Sequence, residues 1–399
     1  MERDDWVLVA VPEEEESEPE GPEEEPEEER GARRLLALLL LVLAGAALGL
    51  LFLLLWLLRP ESPQETEGVA GYPIRVERII SSAGEEDPLA TPLGVAFDGE
   101  GNVWISDTGN SRVLVFSESG EPVRILGAEK GPDRVYAPYG IAIDAQRNRA
   151  YVADYGGRQV QVWSTSGSYI GHYPADDQEL GVFGEDGFSP YGLAIVGGRL
   201  LASSNDGLYL FDGEGRVSAR YGTGVRGSKP GAFNFPDAIT VDPSTGEIFV
   251  ADSMNRRVVS IDGEGRVNWV SGTPDVGGTL TGFWQLPRGI TLGPDGNLYV
   301  VDTFRFDREG VGTGHIVVLS PRGELISEFG RYGLGDDDFD FPEQIAVRAD
   351  GLFAIADREN DRVLLFRLEG SLPTPDVKEA KAYEDALATP KRAWALAER

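Results

Sequence analysis

The sequence predicts an all-β fold, a six-bladed β-propeller carried behind one transmembrane helix and an acidic tail. Three observations predict it. Segments opening on proline, mostly Pro-x-Gly, recur at 92, 138, 190, 236, 287 and 342, with spacings of 46, 52, 46, 51 and 55 residues. A phrase of the type Asp-x-x-Asn-x-Arg-Val returns at 107–113, 252–258 and 357–363, with a looser form at 154–160. Residues 35–58, "LLALLLLVLAGAALGLLFLLLWLL", contain no charge.

The N-terminal elements come first. Residues 1–30 hold fifteen Asp or Glu against Arg3 and Arg30 and form an acidic, disordered tail. Within it, "WVLVAV" (6–11) is a short apolar run suited to adding a strand to a partner's sheet. The 24 residues of 35–58 span about 36 Å as a helix, enough for the roughly 30 Å of a bilayer core. Arg30, Arg33 and Arg34 flank the near side and Arg59 the far side, so the N-terminus is expected in the cytoplasm. That places the chain in the plasma membrane as a single-pass protein, with everything after 58 extracytoplasmic. Gly45-x-x-x-Gly49 would let two such helices approach closely as a homodimer. Residues 59–72 read as a stem.

Residues 73–370 hold the propeller. Each unit shows an opening strand such as "PLGVAFD" (92–98), a Gly-rich turn, and a second strand ending in Asp, such as "VWISD" (103–107). The recurring phrase supplies a third strand, and a fourth closes the unit, as in "PVRIL" (122–126). Four short strands at a period near 45–50 residues mark propeller blades. The sixth unit lacks its fourth strand, and "IRVERIIS" (74–81) is expected to supply it by pairing near 361–368. Closure of this kind removes the exposed edge of an open ring. Residues 371–399 form a short, helical C-terminal tail.

These motifs resemble NHL repeats over roughly 73–370, of the membrane-anchored bacterial type. The resemblance implies a six-bladed propeller that binds proteins or other macromolecules, with a minority of relatives being enzymes. The recurrent residues have their own physical reading. Asp107, Asp154, Asp252, Asp302 and Asp357 each end a second strand, where a carboxylate accepts hydrogen bonds from N–H groups of the next turn. Arg112, Arg257 and Arg362 lie five residues on and reach back to it. Groups that recur from blade to blade are scaffold. Departures carry more information: Asn205 replaces Asp in blade three, Gln159 replaces Arg in blade two, and His315 stands at that position in blade five.

The residue after each opening proline is placed at the channel mouth: Leu93, Tyr139, Tyr191, Asp237, Arg288 and Glu343. These do not repeat, which suits a polar ligand site. Strand direction assigns the loops to two faces. The between-blade crossovers and the turns between second and third strands share one face. It carries the long segments 174–189, 223–235, 273–286 and 331–341, and the candidate binding residues Trp284, Phe304, Arg305 and Phe306. The stem and the C-terminal tail leave from the other face, which is expected to point toward the membrane.

The composition narrows the chemistry. With no cysteine, two histidines (His172 and His315) and a net charge of −31, the chain offers no thiolate site, little histidine chemistry and no basic surface for nucleic acid. No cofactor is expected. Ca²⁺ is the one candidate, at Asp237 and Glu343 or in "DDDFD" (336–340), because similar lactonase-like propellers hold it in the channel. The expected function is a membrane-anchored scaffold with a protein partner. The alternative is a lactonase- or lyase-like enzyme working at the channel mouth.

Overall fold

The computed structural model describes residues 74–176, 178–184, 187–272, 284–303, 313–370 and 372, with the backbone alone at Leu180 and 313–315. The acidic tail, the apolar run 35–58 with Gly45 and Gly49, the stem, the C-terminal tail apart from Leu372, and Phe304, Arg305 and Phe306 lie outside the described residues. Among the described residues no helix is long and apolar enough to cross a membrane.

The described residues form six antiparallel sheets of four strands each. Blade one is typical, with Pro92–Phe97, Val103–Asp107, Arg112–Phe116 and Pro122–Leu126 pairing in chain order. The first strands of the other blades are Pro138–Asp144, Leu193–Val196, Pro236–Val241, Pro287–Leu292 and Pro342–Val347. All six touch one another in ring order, blade one meeting both blade two and blade six. They therefore line the centre.

Second and third strands are buried along their whole length in blades one and four, and in blade six all but the last two residues, Arg367 and Leu368, are buried. Strands sandwiched between neighbouring blades read as continuous Val, Ile and Leu rather than as an alternation. Six apolar clusters result, one at each blade junction. Ile105 and Leu114 of blade one share theirs with Ala356 and Val363 of blade six. The ring closes as expected: Ile74–Ile80 pairs antiparallel with Arg362–Leu368, Ile74 opposite Leu368 and Ile80 opposite Val363.

The Pro-x-Gly opening has a steric origin. A Cβ on Gly94 would stand 1.9 Å from the Tyr139 carbonyl oxygen, and one on Gly140 would stand 2.3 Å from that of Tyr191. Each such glycine lets its inner strand approach the next blade's mouth residue within backbone distance.

Candidate functional site

The inner strands do more than line the channel. In blades one, four and five the register slips between the opening proline and the residue two places on, so Leu93, Asp237 and Arg288 are bulged. A longer slip frees Tyr139 and Glu343 in blades two and six. A β-bulge takes a residue out of the ladder and re-aims its side chain. Here it turns the mouth residues toward one another.

They meet across the channel. Arg288 of blade five donates through Nη1 to the Tyr139 hydroxyl of blade two at 2.9 Å, and that hydroxyl donates to Glu343 Oε2 of blade six at 3.3 Å. The Arg288 guanidinium also lies 3.4 Å from both Asp237 Oδ2 and Glu343 Oε2. Arg358 pairs with the other Glu343 oxygen at 2.9 Å. Tyr191 packs edge-on against Tyr139 and donates to Asn205 Oδ1 at 2.8 Å. Leu93 packs beside them.

The electrostatics follow from burial. Asp237 and Glu343 are almost fully enclosed, and desolvation pushes both carboxyls above their ordinary range against the opposing pull of Arg288. Burial works against the Arg288 charge as well, but the fields of Tyr139, Asp237 and Glu343 outweigh it and raise its pKa. Burial also holds the Tyr139 phenol well above its usual value. The arrangement is a neutralised plug of two acids, two arginines and a phenol. It lies at the mouth that the sequence suggested as a polar ligand site.

The recurrent Asp and Arg groups are tied as the sequence predicted in three blades. Nε of Arg112, Arg257 and Arg362 donates to Asp107, Asp252 and Asp357 at 2.6, 2.6 and 2.8 Å. The N–H groups these carboxylates hold differ from the expected ones. Rather than mainly the following turn, they hold the crossover 16 to 18 residues upstream: Ala90 N to Asp107, Tyr136 and Ala137 N to Asp154, Asn234 N to Asp252, Leu286 N to Asp302, Asp340 N to Asp357. From the turn after them, Asp107, Asp252 and Asp357 take the side-chain amide of Asn110, Asn255 and Asn360, and Asp154 takes the backbone N–H of Gly157 at 3.1 Å. The phrase stitches each crossover down onto its own blade.

Trp284 is corrected. The sequence places it among the candidate binding residues of the crossover face, but it is 1% exposed, with its indole N–H on Ser271 Oγ at 2.8 Å. A large ring in a long crossover finds a core position between blades four and five. His172 faces Asp176 at 3.1 Å. Two carboxylates of the "DDDFD" segment are paired with Arg331. No group of three or more His, Cys, Asp or Glu that could hold a metal occurs among the described residues.

A feature that the sequence reading missed is the distribution of exposed apolar side chains. Among the described residues eight large ones are exposed. Five of these, Tyr136, Tyr155, Val225, Met254 and Leu334, sit in crossovers or in turns between second and third strands, all on one face. The other three, Val123, Ile125 and Ile170, lie on outer strands, and none lies in the turns of the opposite face. Around blade three the apolar face continues inward: Tyr155 packs on Tyr191, Tyr191 on Phe235, and Arg226 lies over the Phe235 ring at 4.9 Å.

The chain is similar to several known proteins. The NHL repeat model matches residues 89–116. The chain is 26% identical over 298 residues to the human NHL repeat-containing protein 3, covering 67% of this chain and 80% of that protein. It is 22% identical over 294 residues to peptidyl-glycine alpha-amidating monooxygenase A of Xenopus laevis, covering 72% of this chain but only 26% of that protein. Among solved structures, a structural genomics protein of unknown function from Bacteroides thetaiotaomicron aligns with a TM-score of 0.53 at 16% identity, over 74% of this chain and 76% of that one. A streptogramin B lyase aligns with a TM-score of 0.52 at 16% identity, over 75% of this chain and 100% of that one. At this identity the structural likeness concerns the fold alone.

Proposed function

We propose that this protein is a binding scaffold that captures a protein partner on the crossover face of its propeller, held at a membrane by residues 35–58. The observation that carries the reading is the one-sided placement of Tyr136, Tyr155, Val225, Met254 and Leu334. Scattered single apolar groups need no explanation, but a bias to the face of varied loops on a rigid ring marks a binding surface. Phe304, Arg305 and Phe306 belong to a crossover-face loop by sequence and join this surface in the proposal. The mutual bonding of the mouth residues supports the same reading, since a partner that docks on the rim needs no open pore. The membrane anchor rests on the uncharged run of 24 residues and its flanking arginines.

The test is site-specific photo-crosslinking in intact membranes. A photoreactive residue at Tyr155 or Met254 should yield a discrete adduct with a partner, and one at Glu264, in a turn of the opposite face, should not. Adducts of equal yield from both faces would refute the assignment. Release of the chain by alkaline carbonate would refute the anchor.

A second reading keeps the channel as a lyase- or lactonase-like site, with Ca²⁺ as its candidate ion. The bulged mouth residues favour it. It requires the Arg288–Tyr139–Glu343 plug to open. Ligand binding to the propeller that Arg288→Ala abolishes and Tyr155→Ala leaves intact would select it over the scaffold.

A further inference from the structure

Blade two lacks the arginine of the recurring phrase, and two buried oxygens are left without a partner. Asp154 is 0% exposed; its Oδ1 accepts N–H bonds from Tyr136, Ala137 and Gly157, while its Oδ2 accepts none. Gln161 is also 0% exposed, and its Oε1 has no partner. Blade four shows what normally stands here. Arg257 Nε donates to Asp252 Oδ2 at 2.6 Å and Arg257 Nη2 donates to the Ala232 carbonyl at 2.6 Å. Ala232 lies 25 positions before Arg257, and Arg134 lies 25 positions before Gln159. In blade two it is Gln161 Nε2 that donates to the Arg134 carbonyl, at 2.5 Å. Gln161 thus takes over the carbonyl end of the missing guanidinium. Nothing takes over the carboxylate end.

We propose that blade two carries a binding site for a small monovalent cation, of the K⁺ or Na⁺ class, at Asp154 Oδ2 and Gln161 Oε1. Both free atoms are hard oxygen acceptors, and one bears a charge that no cationic side chain meets. An unpaired carboxylate at this burial is strongly unfavourable, and the equivalent blades meet it with a full positive charge. A bound water would leave that charge in place. A divalent ion would call for more carboxylates than the single one here. The cation would do for blade two what Arg112, Arg257 and Arg362 do for theirs: fix the crossover that carries Tyr136 on the exposed apolar face.

The experiment uses the full-length chain in neutral detergent. Its thermal midpoint is followed as KCl or NaCl replaces tetramethylammonium chloride at constant ionic strength. The expected result is a saturable rise on the order of 2–4 °C, absent with the larger organic cation. Gln159→Arg should restore the tie of the other blades and abolish the dependence. Asp154→Asn, which removes the charge without adding bulk, should abolish it as well. Crystals soaked in a thallium(I) salt should show an anomalous peak beside Asp154. The proposal is overturned by equal midpoints in all salts, by a dependence that survives in Asp154→Asn, or by thallium density that avoids this site.

Discussion

In blade four the crossover leading to the inner strand is held by ions, and in blade three it is held by rings. Asp252 of blade four, fully buried, receives Asn234 N at 2.8 Å, Asn255 Nδ2 at 2.8 Å and Arg257 Nε at 2.6 Å. Arg257 and Asn255 then reach on to the carbonyls of Ala232 and Gly227. Blade three has lost the motif, with Asn205 and Asp206 making a shortened turn. There Phe183 and Phe188 of the crossover surround Tyr209, with centroids 5.1 and 6.0 Å away, and Phe188 also meets Phe211. The Tyr209 hydroxyl donates to Asp206 Oδ1 at 2.9 Å and accepts from Gly184 N at 3.2 Å. What every blade needs is an immobile crossover. Ionic or aromatic parts can supply it, at different risk: a broken ion pair strands a buried charge, whereas each aromatic contact contributes separately.

The largest expected effect is therefore that of Arg257→Ala. Removing the cation while Asp252 stays buried should destabilise the propeller by about 3–5 kcal/mol, read from denaturant unfolding. A loss below about 1 kcal/mol would mean that the ionic stitch is dispensable and would erase the contrast. Tyr209→Phe is expected to come next. It keeps the ring packing and removes one buried hydroxyl with two hydrogen bonds, for about 1–3 kcal/mol. If it matched Arg257→Ala, blade three would depend on its polar atoms rather than its rings.

A smaller effect separates the two by pH. Burial, opposed by Asn360, the Asp340 N–H and Arg362, pushes the Asp357 carboxyl up to about 6. An unfolded Asp titrates near ~4, so between these values the folded state holds a proton that the unfolded state has released. This contribution to stability is fully present below ~4 and is lost as the pH rises through about 6. Relative to Asp357→Asn, the wild type should gain stability on going from pH 7 to pH 5. Parallel stability curves for the two proteins would dismiss the assignment. Amide protection in the ring-held crossover that carries Phe183 and Phe188 should stay constant over the same range. The smallest effect on stability is expected for Tyr155→Ala. That exposed side chain should leave the thermal midpoint within about 1 °C while weakening partner capture.

The ring was legible because its repeats are written in residues with strong local meaning. Proline and glycine open each inner strand, and the first strand, 74–80, carries the pattern that the sixth blade lacks. The Asp–Arg ties were legible because both partners are charged and five residues apart. The carboxylates' upstream partners were not, because they are backbone N–H groups 16 to 18 residues away, and a backbone amide leaves no mark in a sequence. Trp284 was misread for a related reason. Its burial depends on Ser271 and on the wall of the neighbouring blade, neither of which a long Gly- and Thr-containing crossover reveals. That the residues after the opening prolines do not repeat is plain in the sequence, but their bonding to one another depends on the bulges at Tyr139, Arg288 and Glu343, which no single residue type announces.

The pairing of Ile74 with Leu368 sets an order of events during synthesis. These residues are 294 positions apart (368 − 74), and they form neighbouring strands of one sheet. On a ribosome the first of them emerges long before its partner exists. Five blades can assemble from local hairpins as they appear, each built from strands a few residues apart. The segment 74–80 must meanwhile remain unpaired, with Ile74, Val76, Ile79 and Ile80 looking for another edge to join. Its docking is the last step and the slowest kind of contact to make. For most of its birth the chain is a growing arc with a sticky end at each side, and it becomes a ring only when its final strand is free of the ribosome.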